Sequence, residues 1–184
     1  MTTHHVSDEV IENARLIATE AHEGQVRSGA EAEPYIEHPR RVSESVDKDF
    51  GPRTTNVDIA AAWLHDVLED CDREKYAPRI YRECGQAVLG LVDLLTKPDA
   101  RPYRTKIYQA RMLWVPVGVL CIKVADRVDN LRSLGGADWP DKRRISYLQS
   151  SLLLADVVSA RSVSLARPLR AEIHDTATQY GYEL

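Results

Sequence analysis

The chain has 184 residues, of which 43% are hydrophobic and 28% are charged, and its formal net charge is −4. This composition is typical of a single globular domain and excludes a disordered chain, and the negative charge argues against a nucleic-acid-binding protein. Three cysteines without paired spacing, a polar N-terminus and the lack of a long apolar run favour a soluble cytoplasmic protein without a membrane segment.

The spacing of apolar residues predicts helices along the whole chain and no strand of any length. Glycine and proline residues separate these helices, and the segments QVRSGAEAEP and KPDARP are predicted as loops at 25–34 and 97–102. The fold class is therefore predicted to be all-α. The predicted helices cover 7–23, 35–50, 57–71, 72–84, 86–96, 103–114, 117–134, 139–163 and 165–180.

The predicted helix over 57–71 carries an unusual set of polar side chains. At about 100° per residue, His65, Asp66, Glu69 and Asp70 would share one arc of roughly 140° on an otherwise apolar helix. Burying three carboxylates and a histidine together is costly unless a cation compensates their charge. The segment therefore predicts half of a hydrolytic metal site, and the alternative is a solvated acidic face on a surface helix.

The predicted helix over 117–134 is apolar on nearly all sides, which places it in the interior. Asp126 and Asn130 lie about 40° apart on this helix. Since a buried carboxylate needs a partner, Asp126 is either a metal ligand or a structural ion-pair partner of Lys123 or Arg127. His38, at the start of the second helix, by itself suggests a packing residue more than a ligand.

Five segments, taken in order, resemble the hydrolase domain of the RelA/SpoT family of HD-domain phosphohydrolases and its stand-alone small members. The resemblance covers about residues 8–160 and implies a single HD-type domain over 1–184, built as a helical bundle with a C-terminal helix at 165–180. It also implies a hydrolase without a synthetase domain. The matching segments are QVRSG, PYIEHP, AAWLHDVLED, GQAVLGLVDLLTK and KVADRVDNLRSL.

The resemblance implies a role for each matching side chain. The implied ligands of a divalent metal are His38, His65, Asp66 and Asp126. The metal is usually Mn²⁺, and Fe²⁺, Co²⁺ or Zn²⁺ would also suit these donors. Glu69 and Asp70 match the acidic pair that positions or activates the attacking water. The implied substrate-binding residues are Arg27, Ser28, Asn130, Arg143 and Tyr147.

The implied activity is Mn²⁺-dependent hydrolysis of (p)ppGpp, the alarmone of the stringent response, in which guanosine-3′,5′-bis(diphosphate) gives GDP and pyrophosphate. The chain departs from the family pattern at Ser28, where many members have lysine, at Cys71, where threonine is usual, and at Asp129, where histidine or tyrosine is usual. Two alternatives therefore stay open. One is hydrolysis of another nucleotide, such as a deoxynucleotide, another alarmone or the 2′-phosphate of NADPH, and the other is a catalytically silent nucleotide-binding module.

The partner expected from the resemblance is a small-molecule nucleotide, and neither nucleic acid nor a membrane is expected. The sequence leaves the oligomeric state open, with a homodimer as one option. The cations Arg104, Lys106 and Arg111 on the predicted helix over 103–114 suggest either an anion pocket or a solvated face.

Overall fold

A computed structural model describes residues 3–27, 33–97, 104–136 and 139–183. Within these ranges the chain forms ten α-helices, two short 3₁₀ turns and one isolated antiparallel bridge between Val26 and Pro34. The predicted all-α class is confirmed. The helices are α1 (Thr3–Ala21), α2 (Glu37–Phe50), α3 (Asn56–Leu64), α4 (Val67–Asp70), α5 (Arg73–Cys84), α6 (Gln86–Leu95), α7 (Arg104–Arg111), α8 (Val117–Arg132), α9 (Asp141–Arg161) and α10 (Val163–Tyr180).

The prediction of one helix over 57–71 is wrong, because α3 ends at Leu64 and α4 begins only at Val67. His65 and Asp66 occupy the two-residue break. The apolar spacing continues on both sides of the break and neither glycine nor proline marks it, so the periodicity hides it. The predicted start of α1 at Ser7 is also wrong, since the helix already begins at Thr3.

Helix α8 forms the centre of the molecule, as its all-round apolar sequence predicts. Every residue from Gly118 to Asp129 is buried. The helix packs against α2, α3, α6 and α10, so its few polar side chains face other helices and not water. A carboxylate at Asp126 is therefore in the interior, where its charge needs compensation.

The start of α8 makes a close approach to the start of α3. An ideal Cβ placed on Gly118 would lie 1.7 Å from Oδ1 of Asp58. The other oxygen of Asp58 accepts hydrogen bonds from the backbone N–H and the hydroxyl of Thr55, both at 2.8 Å, which fixes the first turn of α3. Glycine at 118 thus lets α3, which leads into His65, pack tightly on α8, which carries Asp126.

None of the described helices is long and apolar enough to cross a membrane.

Candidate metal centre and nucleotide pocket

Three separate segments bring four predicted metal ligands together. His38 comes from the first turn of α2, His65 and Asp66 from the break between α3 and α4, and Asp126 from the middle of α8. The Nε2 atoms of the two imidazoles are 3.2 Å apart. Oδ1 of Asp126 lies 3.4 Å from His38 Nε2 and 3.8 Å from His65 Nε2. Oδ2 of Asp66 lies 3.6 Å and 3.1 Å from the same two nitrogens.

These spacings, 3.1–3.8 Å, are close to those of the donor atoms around a single divalent ion. Two donor atoms that each bind an ion at about 2.1 Å lie roughly 3.0–3.5 Å from each other in tetrahedral or octahedral geometry. One donor atom each from His38, His65 and Asp126 lies within 4.8 Å of the others, and all three residues are buried, so they form a possible metal site. Asp66 lies outside that group of three but contacts both imidazoles of it.

Each imidazole is held at its other nitrogen, which leaves Nε2 directed at the shared point. His65 Nδ1 is 2.8 Å from the carbonyl oxygen of Ala62, one turn back in α3. His38 Nδ1 is 2.7 Å from Oδ2 of Asp129. An N–H at Nδ1 that donates to an oxygen fixes the tautomer in which Nε2 carries the free lone pair, and this is the usual arrangement of metal-binding histidines.

A lysine and a neutral amide donate hydrogen bonds to the Asp126 carboxylate, and the lysine compensates its charge. Lys123 donates to Oδ2 at 2.5 Å and Asn130 donates to Oδ1 at 2.5 Å. The predicted ion pair with Lys123 is therefore present. The one with Arg127 is not, because Arg127 donates to the hydroxyls of Ser150 and Ser151 instead.

Burial alone would protonate Asp126 and deprotonate His38, but their neighbours reverse both effects. Burial disfavours the Asp126 carboxylate, yet Lys123 and the two histidines hold its pKa well below its usual range. Burial likewise disfavours a charged His38, yet hydrogen bonds to Asp126 and Asp129 raise the pKa of His38 to about 9. The protonated His38 thus supplies a positive charge to the centre that a metal ion would replace.

The two residues of the acidic pair have different surroundings. Asp70 is only partly exposed, and its Oδ2 is 3.1 Å from the hydroxyl of Tyr35, which donates to Oδ2 of Asp66 at 2.8 Å. Burial of its carboxylate and the nearby Asp66 raise the pKa of Asp70. Glu69 instead accepts hydrogen bonds from Nζ of Lys97 at 2.7 Å and from the backbone N–H of Lys97 at 3.2 Å. Asp70 is therefore the member tied to the four converging side chains.

A pocket of about 210 Å³ opens next to this centre. Of the predicted substrate-binding residues, Arg27, Asn130 and Tyr147 line it. Arg143 is exposed and does not line it, but its guanidinium stacks 3.8 Å above the ring of Trp139, which does. The prediction for Ser28 lies outside the described residues. The pocket is lined by Val26, Arg27, Tyr35, Asn130, Ser133, Leu134, Trp139 and Tyr147.

Three residues that contact the predicted site residues were not predicted as site residues from the sequence. They are Tyr35, Lys97 and Asp129. Tyr35 lies within the PYIEHP segment, but no periodicity distinguishes its hydroxyl from that of any other tyrosine. Lys97 approaches Glu69 from the end of α6, 28 residues further along the chain. Asp129 stood out in the sequence only as a departure from the family pattern.

Neither the anion pocket nor the solvated face that the sequence left open for α7 fits Arg111, the one of these three cations whose side chain is described. Arg111 donates to the backbone carbonyl oxygens of Leu94 and Thr96, at 2.5 Å and 2.9 Å, and so joins α7 to the end of α6. The side chains of Arg104 and Lys106 lie outside the described part of the structure.

The helical fold with the His65-Asp66 pair at its centre defines a class of proteins. The HD domain family model matches residues 14–152, and the chain belongs to this family. A Vibrio cholerae protein named guanosine-3′,5′-bis(diphosphate) 3′-pyrophosphohydrolase is 36% identical in an alignment 146 residues long that covers 75% of this chain and 20% of that protein. A Xenopus tropicalis protein named guanosine-3′,5′-bis(diphosphate) 3′-pyrophosphohydrolase MESH1 is 30% identical in an alignment 145 residues long that covers 76% of this chain and 79% of that protein.

A solved structure resembles the chain over nearly its full length. It is that of a metazoan ortholog of SpoT that hydrolyzes ppGpp and plays a role in starvation responses, with a TM-score of 0.78 and 24% sequence identity over 95% of this chain and 97% of that one. This likeness establishes the shared fold. The chain spans about one fifth of the length of the bacterial relatives it matches and about four fifths of the frog relative.

Proposed function

We propose that the chain is a metal-dependent 3′-pyrophosphohydrolase that converts guanosine-3′,5′-bis(diphosphate) to GDP and pyrophosphate. The observation that carries this proposal is the convergence of both imidazole Nε2 atoms with the carboxylates of Asp66 and Asp126 beside an aromatic pocket. The names of the bacterial and frog relatives support the choice of substrate.

The four converging side chains would hold one divalent ion, and we propose Mn²⁺. Two imidazoles with two carboxylates form a mixed nitrogen and oxygen donor set that suits Mn²⁺, Fe²⁺, Co²⁺ or Zn²⁺. A bound ion of this kind generates a nucleophile from water near neutral pH and offsets the negative charge of the phosphoryl group.

The acidic pair, Glu69 and Asp70, would orient the attacking water and accept its proton. We assign Asp70 as the group that accepts its proton, since this carboxylate lies next to the centre, faces solvent and has a raised pKa, which suits a general base. Attack at the phosphorus bonded to the ribose 3′ oxygen would break that P–O bond and leave a 3′-hydroxyl and pyrophosphate. Glu69, held by Lys97, would help orient the same water.

The pocket would bind the nucleoside. Tyr35, Trp139 and Tyr147 offer aromatic walls against which a planar base can stack. Arg27 and Asn130 supply polar groups at the side that faces the centre, because Asn130 donates to Asp126 and Arg27 donates to Asn130 at 2.5 Å. Arg143, above the ring of Trp139, would meet the nucleotide at the rim of the pocket.

The test is incubation of the purified chain and Mn²⁺ with ppGpp, followed by ion-exchange chromatography of the products. We expect equal amounts of GDP and pyrophosphate. Asp70→Asn should reduce the rate on the order of a hundredfold to ten-thousandfold, the range of a lost general base. Asp93→Asn is the matched control, because Asp93 pairs with Arg73 on the surface. The proposal fails if no pyrophosphate is released at micromolar enzyme.

A second candidate is the same reaction centre acting on another nucleotide. The observation that favours it is the position of Arg27, whose guanidinium donates to both Asp129 and Asn130. These two bonds turn the guanidinium towards the centre and not towards a bound nucleobase. A panel of ppGpp, deoxynucleotides and NADPH separates the two candidates. If ppGpp has the highest kcat/KM by a wide margin, this alternative is excluded.

The remaining alternative is a catalytically silent nucleotide-binding module. Asp70→Asn and His65→Ala distinguish it from both enzymes. If neither substitution changes a measured rate of hydrolysis, the centre is not the source of that activity, and the silent module becomes the better account.

A further inference from the structure

We infer that Asp129 is a positioning residue that holds the predicted metal ligand His38 and the pocket residue Arg27 on a single carboxylate. This inference rests on the proposed metal site. It adds a fifth side chain to the centre, one that is not itself among the four converging residues but determines where one of them points.

The contacts of Asp129 carry the inference. Its Oδ2 accepts from His38 Nδ1 at 2.7 Å and from Arg27 Nη1 at 2.7 Å. Arg41, on α2, donates to Oδ1 at 2.6 Å and to Oδ2 at 3.2 Å. The carboxylate is therefore fully engaged by three residues that come from two other parts of the chain.

The bond from His38 fixes the direction of its ring. His38 is 1% exposed, and its Nε2 lies among donor atoms of His65, Asp66 and Asp126. Without an acceptor at Nδ1, the ring could rotate or adopt the tautomer that places the proton on Nε2, and either change would remove a donor atom from the centre. Asp129 therefore selects the ring state that a metal ion needs.

The bonds from the two arginines keep Asp129 in place and ionised. Arg41 is held on its other side by Glu33, whose two carboxylate oxygens accept at 2.6 Å and 2.9 Å. This series of contacts, Glu33–Arg41–Asp129–His38, thus runs from the segment before α2 to the proposed ion. A purely structural ion pair between Arg41 and Asp129 would need no bond to a histidine of the centre.

The same carboxylate connects the ion site with the nucleotide pocket. Arg27 lines the pocket and is held by Asp129 together with the neighbouring Asn130. A loss of Asp129 would therefore act on two functions, the affinity for the metal and the position of the pocket arginine.

The test measures Mn²⁺ binding without any nucleotide, by isothermal titration calorimetry on the intact chain freed of metal with EDTA and dialysed. Asp129→Ala removes every acceptor and should weaken Mn²⁺ binding by about 10- to 100-fold, the usual range for a residue that orients a metal-binding histidine. Asp129→Asn keeps the volume and one acceptor and should give a smaller loss. Asp129→Glu, which restores the carboxylate, should bind more tightly than Asp129→Ala.

Glu44→Gln is the matched control, because it removes a carboxylate partner of Arg40 on the same helix and leaves Asp129, its arginines and His38 in place. Its Mn²⁺ affinity should stay within about threefold of the unsubstituted chain. Circular dichroism of each variant in EDTA shows that it is folded, and Asp129→Leu, which has a similar volume and no acceptor, serves where Asp129→Ala does not fold.

Two results overturn the inference. A folded Asp129→Ala or Asp129→Leu variant that binds Mn²⁺ as tightly as the unsubstituted chain shows that His38 needs no partner. An unsubstituted chain that does not bind Mn²⁺ removes the metal site and the inference with it. If the chain binds Mn²⁺ but does not hydrolyse ppGpp, only the proposed function fails, and the affinities still decide the role of Asp129.

Discussion

His38 is surrounded by other residues of the centre. It is buried, it contacts Asp126 and Asp129, and its ring lies at 5.0 Å from that of His65. Without a metal, the neighbouring carboxylates favour its charged form and raise its pKa to about 9, against an ordinary value of 6.5. A proton and a metal ion would therefore compete for the same nitrogen.

This competition predicts how the stability of the metal-free chain depends on pH. A histidine whose pKa is higher in the folded state stabilises it fully below pH 6.5, and this contribution disappears as the pH rises through about 9. The change corresponds to roughly 3 kcal/mol at most. Urea unfolding in EDTA should therefore give a lower free energy of unfolding at pH 9.5 than at pH 6.

The variant His38→Asn shows which part of that slope belongs to this residue, because cysteines and tyrosines also titrate at high pH. Its free energy of unfolding should change less between the two pH values than that of the unsubstituted chain. In contrast, the affinity for Mn²⁺ should rise over the same interval, since the proton on His38 must leave before a metal binds. If the free energy of unfolding changes equally with pH in the two proteins, His38 is not the group responsible.

Tyr35 gives a second prediction at this scale. Its hydroxyl donates to Asp66 at 2.8 Å and lies 3.1 Å from Asp70. Tyr35→Phe keeps the ring, which stacks on His22 at 4.6 Å between ring centres, and removes one hydrogen bond worth about 1–1.5 kcal/mol. The kcat for ppGpp should fall about tenfold, whereas Tyr81→Phe on the exposed face of α5 should leave it unchanged.

At the scale of single residues, the sequence predicts which side chains form the site better than it predicts which side chains contact each other. The closely spaced His65 and Asp66, with Asp126 on an apolar helix, suggest a buried charge that needs compensation, and the structure brings them together. The partners of Asp129 could not be predicted in this way, because Arg41 and His38 lie 88 and 91 residues away and no local period relates them.

The geometry of the centre depends on how α3 meets α8. These two helices are held at their first turns, where Asp58 fills the space that a side chain at 118 would need. Sequence periodicity predicts both helices, but it cannot predict their distance. Periodicity does not predict the break at His65 and Asp66 either. The hydrogen bond between His65 Nδ1 and the Ala62 carbonyl oxygen is a side-chain contact that apolar spacing does not encode.

Gly118→Ala tests the close approach of these helices. A methyl group 1.7 Å from Oδ1 of Asp58 requires that the carboxylate or the helix move, which typically costs about 1–3 kcal/mol. Gly90→Ala is a matched control, because Gly90 lies within α6 and nothing lies within 4 Å of its added Cβ. That substitution should stabilise the fold by about 0.5–1 kcal/mol. Thermal unfolding of both variants measures the difference, and a Gly118→Ala variant as stable as Gly90→Ala would contradict this packing.

At the scale of the whole molecule, the proposed ion connects parts of the chain that are far apart in sequence. The four proposed ligands come from α2, from the break after α3 and from α8. An unfolded chain cannot present them together, so a metal that binds only the folded state stabilises all of it. The all-α class and the interior position of α8 follow from sequence periodicity, whereas this connection between segments depends on packing.

Mn²⁺ should therefore raise the melting temperature of the chain. At a concentration of one hundred times Kd the gain is about 2.7 kcal/mol. For a chain of this size that corresponds to roughly 5–10 °C. The variant His65→Ala should show little or no increase with Mn²⁺, and an increase as large as that of the unsubstituted chain would mean that the ion binds elsewhere.

The most direct measurement is a crystal structure of the chain with Mn²⁺, with the anomalous signal of the metal recorded at its absorption edge. The account predicts one strong peak about 2 Å from Nε2 of His38 and of His65 and from a carboxylate oxygen of Asp66 and of Asp126. Lys123, which now donates to Asp126, should remain next to that carboxylate. A folded, Mn²⁺-saturated crystal with no peak among these four residues, or with its peak at another place, would contradict the account.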